Sequence, residues 1–142
     1  MRTVRHLLEA KAPEVFAIGP HAPVFDAIGL MADKRIGALL VMESGKLVGI
    51  VSERDYARKI VLQGRSSKDT PVRDIMTAPV ITVGLDDNSD QCMQIVTQRR
   101  IRHLPVVQGA AVLGVISIGD LVKAVIEDQQ VELEQLQRYI AS

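Results

Sequence analysis

The chain has 142 residues, 47% of them hydrophobic and 24% charged, with 17 basic and 17 acidic side chains. That balance leaves no overall basic excess that would point to nucleic acid or acidic membranes, and a 3% aromatic content without Trp argues against base-stacking platforms. No apolar run reaches the roughly 20 residues a bilayer span needs, and a single cysteine excludes an internal disulfide framework.

The opening TVRHLLE, residues 3–9, is a short amphipathic segment. Charge breaks its apolar stretch, so it does not read as a secretory signal, and a reducing cytoplasm is the expected compartment. VFAIG (15–19) reads as a strand and PHAP (20–23) as a turn-rich loop. Residues 24–34 read as an amphipathic helix, with Val24, Ile28 and Met31 at i, i+4 and i+7. GALLVME (37–43) and KLVGIVS (46–52) read as two strands joined by the turn signal ESGK, and ERDYARKIVLQG (53–64) as a second helix. GRSSKDTP (64–71) has the composition of a linker, and PVRDIMT (71–77), which follows it, resembles TVRHLLE. The series then starts again. VITVG (80–84) reads as a strand, LDDNS (85–89) as a loop and 89–99 as a helix, in which Cys92 reads as core packing. HLPVVQ (103–108) and AVLGVIS (111–117) read as paired strands with a looser turn, and IGDLVKAVIEDQ opens the last helix. From Asp120 to Ile140 there is no Gly or Pro, and Leu121, Val125, Leu133, Leu136 and Ile140 are the apolar points.

The second series is the first one repeated. A shift of 65 residues lays 15–60 on 80–125 without a gap: Val15 meets Val80, Arg35-Ile36 meets Arg100-Ile101, and Leu39 and Val41 meet Leu104 and Val106. Each copy has the order β-α-β-β-α. Three strands of this size cannot bury both faces alone, which favours two copies packed together.

The strongest agreement is between GIVSERD (49–55) and GVISIGD (114–120). Read locally, Ser-x-x-Asp is a capping box, in which each side chain satisfies a backbone N–H at the start of a helix. Capping does not require the glycine three residues before the serine, nor a strand-to-helix junction in both copies. At such a junction backbone N–H groups suit an anion, and an acid one turn later suits two vicinal hydroxyls, as on a ribose. Gly49 and Gly114 are expected to leave room where a ligand approaches the strand. The cap and the ligand site are compatible.

With these motifs the chain resembles a tandem pair of CBS domains, a Bateman module, whose signature is β-α-β-β-α with G-h-h-[ST]-x-x-D at the end of the last strand (h is apolar). IRHLPVV (101–107) is similar to the family's pattern ahead of its second strand. The resemblance implies an α+β fold of two repeats related by a pseudo-twofold axis, residues 8–66 and 73–131, with 132–142 as a helical extension. It also implies two clefts between the copies, each taking its acid from one copy and its base-holding wall largely from the other. In one cleft Ser52, Arg54 and Asp55 would be paired with Val80, Ile81, Ile101, Arg102 and His103. In the second, Ser117 and Asp120 would be paired with Val15, Phe16, Ile36, Gly37 and Ala38. Asp55 and Asp120 are then expected to hold ribose, Ser52, Arg54, Arg102, His103 and Ser117 to hold phosphate, and Val15, Phe16, Ile36, Val80, Ile81 and Ile101 to hold adenine. Gly37, Ala38 and Gly119 stand where the other copy has Arg102, His103 and Arg54, so the Asp55 cleft is expected to bind a nucleoside monophosphate more tightly.

No catalytic constellation is visible: His6, His21 and His103 have no metal-ligand spacing, and there is no P-loop, G-x-S-x-G or G-x-G-x-x-G. The expected function is therefore a regulatory, ligand-sensing signal-transduction module with no catalytic cofactor. Its ligand would be an adenine nucleotide, AMP first, with NAD or ATP as alternatives. A homodimer signalling to a separate effector protein is expected, with no nucleic acid or membrane as partner. The competing expectation is a dimeric interaction scaffold with vestigial clefts.

Overall fold

Alternating apolar residues on either side of a tight turn build the centre of each copy. In the first copy β2 (Ala38–Glu43) and β3 (Lys46–Ser52) form an antiparallel hairpin closed by Ser44 (φ 52°) and Gly45 (φ 78°), two left-handed residues of the kind two-residue hairpin loops use. β1 (Ala17–Ile18) adds in parallel to β2, giving the order β1-β2-β3. α2 (Val24–Lys34) turns Val24, Ala27 and Met31 inward, against Leu39, Val41 and Val51. After β3 the chain enters α3 (Glu53–Tyr56) and widens into a π-helical turn over Ala57–Val61. The second copy matches in α4 (Ser89–Arg99), β4 (His103–Gln108), β5 (Ala111–Ser117) and α5 (Ile118–Ala141). Cys92, Val96, Leu104, Val106, Ile116 and Leu121 are buried there.

The computed structural model describes residues 2–11 and 14–141. They form two units, one of residues 14–81 and the other of the two stretches 2–11 and 82–141. The segment ahead of the first copy, carrying α1 (Val4–Glu9), therefore belongs with the second copy, and the segment between the copies belongs with the first. The two lead-ins dock by the same bonds. Val72 N–H donates to Ala22 O (2.8 Å) and Arg73 N–H to Pro20 O (2.9 Å); Val4 N–H donates to Asp87 O (2.7 Å) and Arg5 N–H to Leu85 O (3.1 Å). Val72 and Ile75 fill one core and Val4 and Leu7 the other.

Two expectations need correction. VITVG does not form a strand: only Val83 bridges, in parallel, to Val106. In the first copy Leu40 N–H donates to Phe16 O (3.1 Å), but the matching residue in the second copy is Pro105, which has no N–H to give, so the ladder stops after one bridge. The 64–71 linker is also more than a spacer. Helix α2 starts at Pro23 with no side-chain cap, and the first-turn N–H groups of Val24 and Phe25 are taken by Thr70 O (2.8 Å) and Ser67 O (2.9 Å), which satisfies donors a helix start leaves open.

Candidate functional site

Each G-h-h-S-x-x-D motif runs off the end of a hairpin into a helix, and hairpin pairing sets the position of its serine. Ser52 lies opposite Ala38, and Ser117 lies opposite His103. The residue after each serine is tied to the same neighbour strand, Glu53 N–H to Gly37 O (3.0 Å) and Ile118 N–H to Arg102 O (2.8 Å). Gly37-Ala38 thus flank Ser52 on residues 14–81, and Arg102-His103 flank Ser117 on the other unit.

The local reading of the motif holds in both copies. Asp55 N–H donates to Ser52 Oγ (3.2 Å), and Asp55 Oδ2 accepts from the Ser52 N–H (3.0 Å) and the Ser52 hydroxyl (3.0 Å). Asp120 N–H donates to Ser117 Oγ (3.1 Å), and its Oδ2 accepts from Ser117 N–H (2.8 Å). Neither carboxylate stops at the cap. Asp55 Oδ1 accepts from Thr77 Oγ1 (3.4 Å) and pairs with Lys59 Nζ (3.2 Å). Asp120 Oδ2 pairs with Lys11 Nζ at 2.7 Å. The Asp55 side chain is 13% exposed and that of Asp120 25%. Burial pushes the Asp120 carboxyl up, but hydrogen bonds from Lys11 and Ser117 and the charge of Lys11 outweigh it and hold the group below the usual aspartate value.

The glycines also serve the packing of the lead-ins. A Cβ on Gly49 would run into Met76 Sδ, and one on Gly114 would lie 2.7 Å from Leu8 Cδ2. Each lead-in thus places a side chain over the glycine of its unit, and that close approach by itself requires the missing Cβ.

The remaining predicted residues divide between the units. Residues 14–81 carry Ser52, Arg54, Asp55, Val80 and Ile81, together with Val15, Phe16 and Ile36. The other unit carries Ile101, Arg102, His103, Ser117 and Asp120. Phe16 and Ile36 pack against the core of their own unit, and Lys34 Nζ lies 5.3 Å above the Phe16 ring. Val15 is exposed; Val80, Ile81 and Ile101 are half-buried. Arg102 is exposed and His103 half-buried. Burial, then the charges of Lys11 and Arg102, lower the His103 imidazole below its ordinary value against a smaller opposite effect of Asp120, so it is neutral at pH 7. Lys59 is the one further site residue that spacing makes visible, as an i+4 cation after Asp55. Lys11, 109 residues before Asp120, leaves no local signal. Among the described residues no cluster of His, Cys, Asp or Glu is arranged to hold a metal, and no helix is long and apolar enough to cross a membrane.

Two copies of one fold with the same capped serine–aspartate junction accord with known proteins. The family model for the CBS domain matches residues 4–62 and again 72–127. The chain belongs to the CBS-domain family. It is 46% identical over 122 residues to the CBS domain-containing protein CBSX3, mitochondrial, of Arabidopsis thaliana; the match covers 82% of this chain but 59% of the plant protein. Among solved structures it resembles a putative signal-transduction protein with CBS domains from Burkholderia ambifaria, at 52% identity and a TM-score of 0.86, covering 89% of this chain and 96% of that one. It also resembles the CBS domain protein PAE2072 from Pyrobaculum aerophilum, complexed with AMP, at 29% identity and a TM-score of 0.74, covering 83% and 88%. The two CBS copies are thus established on sequence, fold and family together.

Proposed function

We propose that this CBS-domain pair is a regulatory module that binds an adenine nucleotide through its two motif aspartates and passes the signal to a separate effector protein. One observation carries the reading. The duplicated motif holds Asp55 and Asp120 at strand-to-helix junctions with their carboxylates fixed by Ser52 and Ser117, and a structural relative with the same fold is complexed with AMP. A fixed, partly exposed carboxylate is a good acceptor for two ribose hydroxyls. Ser52, Arg54, Ser117, Arg102 and His103 are assigned to phosphate, the histidine as a neutral donor. Val15, Phe16, Ile36, Val80, Ile81 and Ile101 are assigned to adenine. AMP is the first choice of ligand; NAD and ATP carry the same adenosine-phosphate half.

The module is proposed to act as a homodimer through α5. Val122, Ile126, Leu133, Leu136 and Ile140 are all exposed, and with Gln129 they alternate in steps of four and three along the helix, the spacing of a two-helix seam.

The capping boxes support a second reading, a scaffold whose aspartates serve only their own helices. Thermal unfolding with AMP, ATP, NAD and S-adenosylmethionine separates the two. A ligand at about 100 times its Kd adds roughly 2.7 kcal/mol to the folded state and raises Tm visibly. The sensor reading predicts that rise with AMP; no rise with any of the four supports the scaffold.

A further inference from the structure

Both motif aspartates are paired with a lysine, and the two lysines come from different parts of the chain. Lys59 stands one helical turn after Asp55, with Nζ 3.2 Å from Asp55 Oδ1 and 2.9 Å from Ile75 O. The position 65 residues on is Ala124, which is 2% exposed and leaves no place for an ammonium group. The second unit obtains its cation from the lead-in instead: Lys11 Nζ lies 2.7 Å from Asp120 Oδ2 and 2.7 Å from Val115 O.

The lead-ins also close differently at this end. In the first unit Thr77 and Ile50 exchange backbone bonds, Thr77 N–H to Ile50 O (2.8 Å) and Ile50 N–H to Thr77 O (3.0 Å). Those backbone bonds do not involve the motif carboxylate, which the same Thr77 reaches only through its hydroxyl (3.4 Å). Val115 is the counterpart of Ile50, and its carbonyl accepts the Lys11 ammonium. The end of the lead-in in the second unit therefore leans on the same carboxylate that the proposed function assigns to ribose. Asp120 Oδ2 already accepts from Ser117 N–H and Lys11 Nζ. Ribose hydroxyls gripping that carboxylate contend with a charge-assisted bond, about twice as strong as a neutral one.

We propose that Lys11 is a built-in competitor for Asp120. Adenosine binding at this aspartate displaces the ammonium, and the end of the lead-in, residues 8–11, loosens from β5. The start of the lead-in stays docked through Val4 and Arg5, whose backbone bonds do not involve Asp120. Linkage makes the effect reciprocal: whatever pulls the lead-in end away raises affinity for the nucleoside, and the nucleoside frees the lead-in end. Asp55 also touches its lead-in, through Thr77 Oγ1 and through Lys59 on Ile75 O, but there the Thr77–Ile50 backbone pair holds the lead-in end without the carboxylate, so displacing Lys59 is not expected to free it.

The inference rests on the nucleotide reading, and the test keeps their failures apart. Adenosine, which has no phosphate to miss a lost positive charge, is titrated by calorimetry into the full chain, Lys11→Met, and both in an Asp55→Ala background. In parallel, cleavage after Glu9 by a glutamate-specific protease is followed by mass spectrometry with and without adenosine. The expected result is that adenosine speeds cleavage after Glu9 in the unsubstituted chain. Lys11→Met should be cleaved at the faster rate without adenosine and should bind it about fivefold or more tightly. Adenosine that binds yet leaves cleavage unchanged or slower, or a Lys11→Met chain of equal or weaker affinity, overturns the lysine proposal alone. The absence of any binding heat, with AMP as well as adenosine, overturns both.

Discussion

At the scale of single residues, the motif glycine and its covering side chain show how closely the chain is fitted. Gly49 lies under Met76 and Gly114 under Leu8, side chains supplied from lead-ins far away in sequence. Replacing Gly49 by Ala should destabilise the protein by about 1–3 kcal/mol, the usual range for overpacking. Met76→Ala in the same chain should recover part of that loss, a non-additivity readable in a double-mutant cycle by chemical denaturation. Full additivity would mean that the two side chains do not meet. The titrating residues give a second test. His103 is lowered by burial and by the Lys11 and Arg102 charges, so below its ordinary value of about 6.5 the unfolded chain takes up a proton that the folded one resists. Stability should fall as pH drops through that point. Asp120 is held below its ordinary value of about 3.9. It adds stability above that pH that is lost on further acidification through its lower folded value. Tm measured from pH 8 to pH 3 should therefore decline in two stages, the first removed by His103→Gln and the second by Asp120→Asn. Cys92, fully buried with its thiol pushed up to about 11, first by burial and then by Asp87, should stay unreactive toward thiol reagents in the folded chain.

At the scale of elements, the sequence was informative where its signal is local. The helices at 24–34 and 89–99 and the two hairpins follow from apolar spacing and turn residues. What was not legible depends on partners distant in the chain. VITVG has strand composition, but its neighbour in space offers Pro105 where Leu40 offers an N–H. Lys11 meets Asp120 across 109 residues, and the exchange of lead-ins cannot be read from their similarity, because both copies present the same docking bonds. The capping role of Ser52 and Ser117 was legible and correct. The motif glycines were legible as places of close approach, though what approaches is Met76 and Leu8. Helix α5 makes a prediction of its own. Past Asp128 its residues are exposed, and an isolated helical stretch of that length is marginal in water without packing. Leu133→Glu with Leu136→Glu should convert a dimer to a monomer by sedimentation equilibrium while leaving the Tm of the units nearly unchanged. A monomeric starting chain, or a dimer that survives both changes, contradicts the seam.

At the scale of the whole molecule, duplication accounts for most of what the chain does. One β-α-β-β-α design is used twice, and the two copies keep the serine, the aspartate and a lysine on the aspartate while changing where that lysine comes from. The Asp55 pair is also an ordinary i,i+4 helix contact, whereas the Asp120 pair reaches across 109 residues. The most direct test is a crystal structure of the full chain grown with AMP. Nucleotide is expected there with its ribose hydroxyls within hydrogen-bond reach, about 2.5–3.0 Å, of the Asp55 or Asp120 carboxylate. AMP bound away from both aspartates, with each keeping its present protein partners, would contradict the account.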